Sequence, residues 1–445
     1  MEFLNVPLPQ SVLREEGKGN FKKAIQIVDE LLKRDLPEML KKRLQYEPER
    51  IYRLIEDYPF DEEGALEKMK SIGVNEDEFY RHVEHEDVDY LLVEGEKKFE
   101  RRFLENFIFK FPDYAPDIKD DEHAEVKNLV NRRIDELIEG DKPKKYRVEA
   151  RISLTLKKDY KGNKVRCWLP IPKLESPIER VDFVECNAEC KRSRDDSTNM
   201  TVYMEGKPKA GTTFEVRFQY VLREQMNSIH VENVKNVDER RIESGFLREK
   251  PPHIVFSKYL IALTNEIVKD EKNPYLKAKR IYDWMTKNVD YSYMNPYSVY
   301  DGSLAEFAAV NLRGDCGVKA LLFITMCRIA GIPAKWQSGW FITPKYAGPH
   351  DWAYFHVEPY GWLPADLSFG GARKDNEKRR SFYFGNMDAF RMVANSEFMA
   401  PFYPKKRFIR SDPYDNQVGE VETDKENIYY DGFDYKIEVL NFEEM

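Results

Sequence analysis

The stretch that decides the reading of this chain is "RGDCGVKALLFITMCRIAGIPAKW", residues 313 to 336. Its boundaries are those of a helix: Gly314 and Asp315 precede it, aspartate being a good N-cap, and Gly331 followed by Pro333 stops it. Leu321, Leu322, Thr325, Met326 and Ile329 recur at three-and-four spacing and are expected to form its buried face. Cys316 then falls in the first turn, where free backbone N–H groups and the positive end of the helix dipole favour a thiolate. A depressed thiol pKa is therefore expected there. Cys327, about three turns further along, has no such help and reads as core filling.

A nucleophilic thiolate needs a proton shuttle and a group that orients the shuttle. Downstream, "GPHDWAYFHVEPYGWLPADLSFG" (348 to 370) offers His350, His356 and Asp366 on strands expected to form a hairpin around Pro359 to Gly361. Strand alternation puts His350, Trp352, Tyr354 and His356 on one face. Six residues of strand span about 20 Å, so only one of the two histidines can serve a given sulfur. A register with Asp366 opposite an even-numbered residue such as Trp352 sets the carboxylate nearer His350 than His356.

These segments resemble the core of the transglutaminase-like superfamily, which includes cysteine proteases with a papain-like fold. The resemblance rests on a Gly-x-Cys that opens a helix, the "CRIAGIPA" exit, the "HDW" strand and the "GWLPAD" strand, over about residues 276 to 370. It implies Cys316 as nucleophile, His350 as general base and Asp366 as the orienting carboxylate. It also implies acyl transfer: attack on an amide carbonyl, a thioester, then resolution by water. A peptide, protein or other amide-containing substrate follows. Transamidation to a protein amine is the alternative, and a scaffold with a vestigial fold is a third reading. The "WLPIP" segment (168 to 172) resembles the β-rich domain that often precedes such cores, and "YFGNMDAFRMVANSEF" (383 to 398) a tail of one bacterial subgroup.

Outside this core the chain changes its pattern twice. Residues 1 to 140 are expected to be a helical domain. In "NFKKAIQIVDELLKR" Phe21, Ala24, Ile25, Val28, Leu31 and Leu32 line one face, and "EPERIYRLIED", "EEGALEKMKSIG" and "GEKKFERRFLENFIFKF" repeat the style. These helices are a candidate surface for a protein partner. After the polar "EGDKPKK" (139 to 145) the period becomes two: Val148, Ala150, Ile152, Leu154 and Leu156, then Val165, Cys167 and Leu169, then Phe214, Val216, Phe218 and Tyr220. Residues 141 to 225 are thus expected to be an antiparallel β-sandwich. Residues 226 to 445 complete an α+β layout, with a papain-like, transglutaminase-like catalytic domain of one central helix and an antiparallel sheet.

The 445 residues carry a net charge of −8 with both signs mixed, which offers no basic footprint for nucleic acid. The N-terminal stretch lacks the plan of a signal peptide, and no apolar run approaches membrane-spanning length. Five cysteines suit reduced thiols and a cytoplasmic setting better than a disulfide framework. Cys186 and Cys190 in "CNAEC", and His82 and His85 in "RHVEHED", are each incomplete as metal sites. Neither a metal nor a cofactor is expected.

Overall fold

The computed structural model describes residues 2–114, 121–238, 242–411 and 415–445. The chain divides into two compact units, one formed by Met1–Lys119 with Asp290–Gly302, the other by Asp120–Val289 with Ser303–Met445.

The first unit holds helices Gln10–Glu16, Phe21–Leu32, Glu38–Glu56, Glu62–Ser71, Glu76–Glu84 and Phe103–Lys110. Phe21, Ala24 and Val28 are buried as their spacing requires, against Val12, Leu44 and Ile51. Two local expectations fail. The stretch beginning at Gly95 does not start as a helix: Tyr90–Val93 and Glu96–Phe99 pair as a hairpin, and the helix begins only at Phe103. Glu94 and Gly95 both take positive φ, as a two-residue hairpin loop that follows the strand twist requires. Nor does Pro48 separate two helices. It sits inside Glu38–Glu56, where the missing N–H removes one intrahelical bond.

That long helix buries Arg43, Glu47 and Arg50. Arg43 pairs with Glu47, and Arg50 with both Glu47 and Glu16. Arg50 also donates to the Val299 carbonyl at 2.7 Å. Asn106 grips the backbone of Tyr293 from both sides, donating to its oxygen at 3.1 Å and accepting from its nitrogen at 2.7 Å. Residues 290 to 302 are thereby tied to the N-terminal helices by their own backbone.

In the second unit the strands alternate as expected. One antiparallel sheet runs in the order Phe433–Glu444, Lys145–Leu156, Thr213–Arg223, Ile178–Cys186. A second runs Asn427–Ile428, Glu420–Thr423, Val165–Pro170, Thr201–Gly206, Cys190–Arg192. Val148, Ile152, Leu154, Cys167, Leu169, Val216 and Phe218 are all buried in the core of this sandwich. The last 26 residues thus return to the sandwich, beyond the 141–225 span that the sequence suggested for it, with Ile437 opposite Ile152 and Val421 opposite Cys167.

The α+β core follows. Pro274–Asn288, capped by Asn273, and Leu304–Asn311 lead to the helix Cys316–Ile329. That helix is buried all round from Gly317 to Arg328, not along one stripe, because both helices and sheet pack on it. The sheet order is Gly361–Ala365, Ala347–Val357, Ala334–Ile342, Arg391–Asn395, all antiparallel. Among the described residues, no helix is long and apolar enough to cross a membrane.

Candidate active site

Cys316 is the first residue of the buried helix, and the Asp315 side chain caps it by accepting from the Val318 N–H at 2.9 Å. The strand Ala347–Val357 presents His350 and Asp351 in succession. Ala353 pairs with Ala365, so the same register carried one step further sets Asp366 across from Trp352. Asp366 stands just past the strand end as the N-cap of the short helix Leu367–Gly371.

The expected imidazole–carboxylate pair is present. His350 Nε2 lies 2.7 Å from Asp366 Oδ2. The other oxygen, Oδ1, accepts from the backbone N–H groups of Ser368 and Phe369 at 3.1 and 2.8 Å. Arg391, fully buried, donates to Oδ2 at 2.7 Å and to Asp388 Oδ1 at 3.1 Å, and its guanidinium lies over the Phe369 ring. Burial alone would raise the pKa of Asp366. The charges of His350 and Arg391 and the bonds from His350 and Phe369 outweigh it and hold this carboxyl well below the ordinary range.

His356 is set apart from this network. It pairs across the hairpin with Trp362, its ring edge-on to that indole, and its buried Nδ1 has no hydrogen-bond partner. Burial lowers its pKa.

The thiol departs from expectation. Cys316 Sγ donates to Asp351 Oδ2 at 3.2 Å, so its hydrogen-bond partner is Asp351 and not His350. Asp351 is held in turn by Gln417, whose Nε2 donates to Asp351 Oδ1 at 2.9 Å and to the His350 carbonyl at 3.0 Å. The expected depressed thiol pKa is corrected accordingly. Burial pushes it well up, and the carboxylates of Asp351 and Asp315 push it further, against the pull of the helix N-terminus.

Cys167 and Cys327 are buried and pushed up by burial alone or nearly so, as packing residues are. His82 bonds Asp87 at 2.8 Å among the rings of Phe107 and Phe111, while His85 is exposed, so the two do not converge. Asp351, Arg391 and Gln417 were not singled out from sequence. Asp351 stands beside His350 in "HDW", and Arg391 is the one cation in "YFGNMDAFRMVANSEF", an apolar run that its burial explains.

The structure thus holds a cysteine opening a buried helix and a bonded histidine–aspartate pair on the hairpin packed against that helix. Residues 261–367 match the Transglutaminase-like superfamily model. No curated protein matches the chain. Among solved structures, a candidate cysteine protease from Cytophaga hutchinsonii is similar at 14% identity and TM-score 0.39, covering 68% of this chain and 90% of that one. The periplasmic domain of TgpA from Pseudomonas aeruginosa is similar at 15% identity and TM-score 0.27, covering 56% of this chain and 94% of its own.

Proposed function

We propose that the protein is a cysteine-dependent acyl-transfer enzyme that cleaves a peptide, isopeptide or related amide through a thioester on Cys316. The observation that carries this reading is the fixed His350 ring. With Nε2–H committed to Asp366, whose other partners are already in place, Nδ1 is the nitrogen left with a lone pair to take the thiol proton. Cys316 leaves its contact with Asp351, gives its proton to His350 and attacks the carbonyl carbon. The imidazolium then protonates the leaving amine, and a water deprotonated by His350 releases the acid. The Cys316 backbone N–H, at the helix N-terminus, is the natural first donor to the oxyanion. Water is the acceptor that needs no second binding site, which favours hydrolysis over transamidation. The five unbridged cysteines fit a cytoplasmic setting.

The test is substrate trapping together with thiol labelling. Cys316→Ser protein incubated with lysate should accumulate a bound or ester-linked substrate that mass spectrometry identifies. In the wild type an iodoacetamide probe should modify Cys316 faster than Cys327, and loss of His350 should slow it. Equal labelling of the two cysteines would mean a scaffold and no enzyme.

A further inference from the structure

The proposed chemistry leaves "CNAEC" unused. Its two cysteines occupy a particular place in the sandwich. Cys186 ends the strand Ile178–Cys186, the edge strand of the four-stranded sheet. Cys190 begins Cys190–Arg192, the edge strand of the five-stranded sheet. The three residues between them carry the chain from one sheet to the other. Asn187 anchors this crossing at three points on the neighbouring strand. Its N–H donates to the Glu215 carbonyl at 3.1 Å, its Oδ1 accepts from the Glu215 N–H at 2.9 Å, and its Nδ2 donates to the Thr213 carbonyl at 2.9 Å.

Across this crossing the two sulfurs lie 2.7 Å apart as free thiols. A disulfide requires side chains aimed at each other with β-carbons about 3.5–4.5 Å apart, a condition most cysteine pairs do not meet. Here the strand ends have already brought the sulfurs together. Cys190 is exposed and Cys186 half-buried, so a small reagent reaches the pair from solvent. A tetrahedral metal site would need two further ligands, and no group of three metal-ligating side chains occurs among the described residues.

We propose that Cys186 and Cys190 form a thiol–disulfide exchange site that reacts with small-molecule disulfides, its oxidised form stapling the edges of the two sheets. With oxidised glutathione as the reagent, the Cys190 thiolate attacks one glutathione sulfur and breaks the glutathione S–S bond. A mixed disulfide forms and one glutathione thiolate leaves. Cys186, its proton lost to solvent, attacks the Cys190 sulfur, forms the protein disulfide and releases the second glutathione. Two protein thiols and one glutathione disulfide become one protein disulfide and two glutathione thiols. The order follows from exposure, and from burial and the neighbouring Cys190, which push the Cys186 thiol up.

Trypsin cleaving after Arg180 and Lys191 leaves both cysteines in one peptide, "VDFVECNAECK". The full chain is equilibrated in oxidised and reduced glutathione at graded ratios, alkylated, digested and weighed. The expected result is that this peptide loses two hydrogens and resists alkylation, while the peptides holding Cys167 and Cys327 stay alkylatable after unfolding. In Cys186→Ser, Cys190 should stop at a stable glutathione adduct, because the resolving thiol is gone. A wild type that accumulates the same Cys190 adduct, or that leaves both thiols reduced at every ratio, overturns the proposal.

Discussion

Arg50 and Arg391 are both buried guanidiniums among carboxylates, one in each unit, yet they serve different ends. Arg50 bonds Glu47, Glu16 and the backbone of Val299. Arg391 holds Asp366 and Asp388, and Asp366 accepts one further bond from the His350 imidazole. Glu47, the chief partner of Arg50, is held down as Asp366 is, but other carboxyls of the first unit are not. In the first unit Glu16 and Glu100 are pushed up to about 7 and about 8, and Asp57 to about 6, chiefly by burial that their partners do not offset. In the second unit Asp366 is held down. A buried charge cluster does not mark a site by itself; the outlet to a titratable ring does.

The largest expected effect is on stability. Arg391→Met and Arg50→Met each remove a buried cation from between carboxylates and should cost about 3–5 kcal/mol, read by urea unfolding. The comparison is sharpened by labelling below the transition. Arg391→Met should slow modification of Cys316 in the folded protein, and Arg50→Met should leave it within about twofold if Arg50 is only structural. A like loss in both variants would erase the distinction.

Next is the choice of base. His350→Ala should slow acylation of Cys316 by at least about a hundredfold, the scale of a lost general base, and His356→Ala by less than about tenfold. Stopped-flow acylation of both variants, with folding checked by circular dichroism, decides it, and a larger loss at His356 would move the base to the far end of the strand.

The raised carboxyls of the first unit and Asp366 should also answer pH with opposite signs. A carboxyl whose folded pKa is raised keeps its proton in the native state while the unfolded chain has lost it. Stability of the first unit should therefore fall as pH rises between about 4 and 8, by up to roughly 1.4 kcal/mol per pH unit for each group titrating. Asp366, lowered in the folded state, contributes stability that is present above its unfolded pKa near 4 and lost as pH falls below it. Hydrogen exchange resolved by segment, compared at pH 5 and pH 8 after correction for intrinsic rates, reads the first effect, and acid unfolding the second. Greater protection of the N-terminal helices at pH 8 would contradict it.

The smallest effect concerns the thiol. Asp351→Asn removes a negative charge at 3.2 Å from Sγ that holds the thiol pKa up, and labelling of Cys316 at pH 7 should rise by up to about tenfold. A slower reaction would make Asp351 itself the base.

The helix at Cys316, its caps, the alternation at 148–156 and the hairpin register at Asp366 were legible because local spacing determines them. The rest depends on partners distant in sequence. Nothing near Arg391 announces that Asp366 lies 2.7 Å away, and Gln417 reaches Asp351 from 66 residues on. Phe433–Glu444 alternates much as Lys145–Leu156 does and could have been read as a strand, but only its pairing shows that it closes the sandwich. The helix N-terminus at Cys316 is a local signal, whereas the burial and the Asp351 carboxylate that oppose it come from the fold.

The segment 290–302 has a consequence for biosynthesis. The carbonyl that receives Arg50 is made 249 residues after it. At about 5–20 residues per second, the 170 residues Asp120–Val289 hold that carbonyl back by roughly 10–35 s after the N-terminal helices are synthesised. For that interval Arg50 on the ribosome has Glu47 and Glu16 but not its backbone acceptor. A chaperone that shelters nascent chains would meet the first unit while it still lacks this segment.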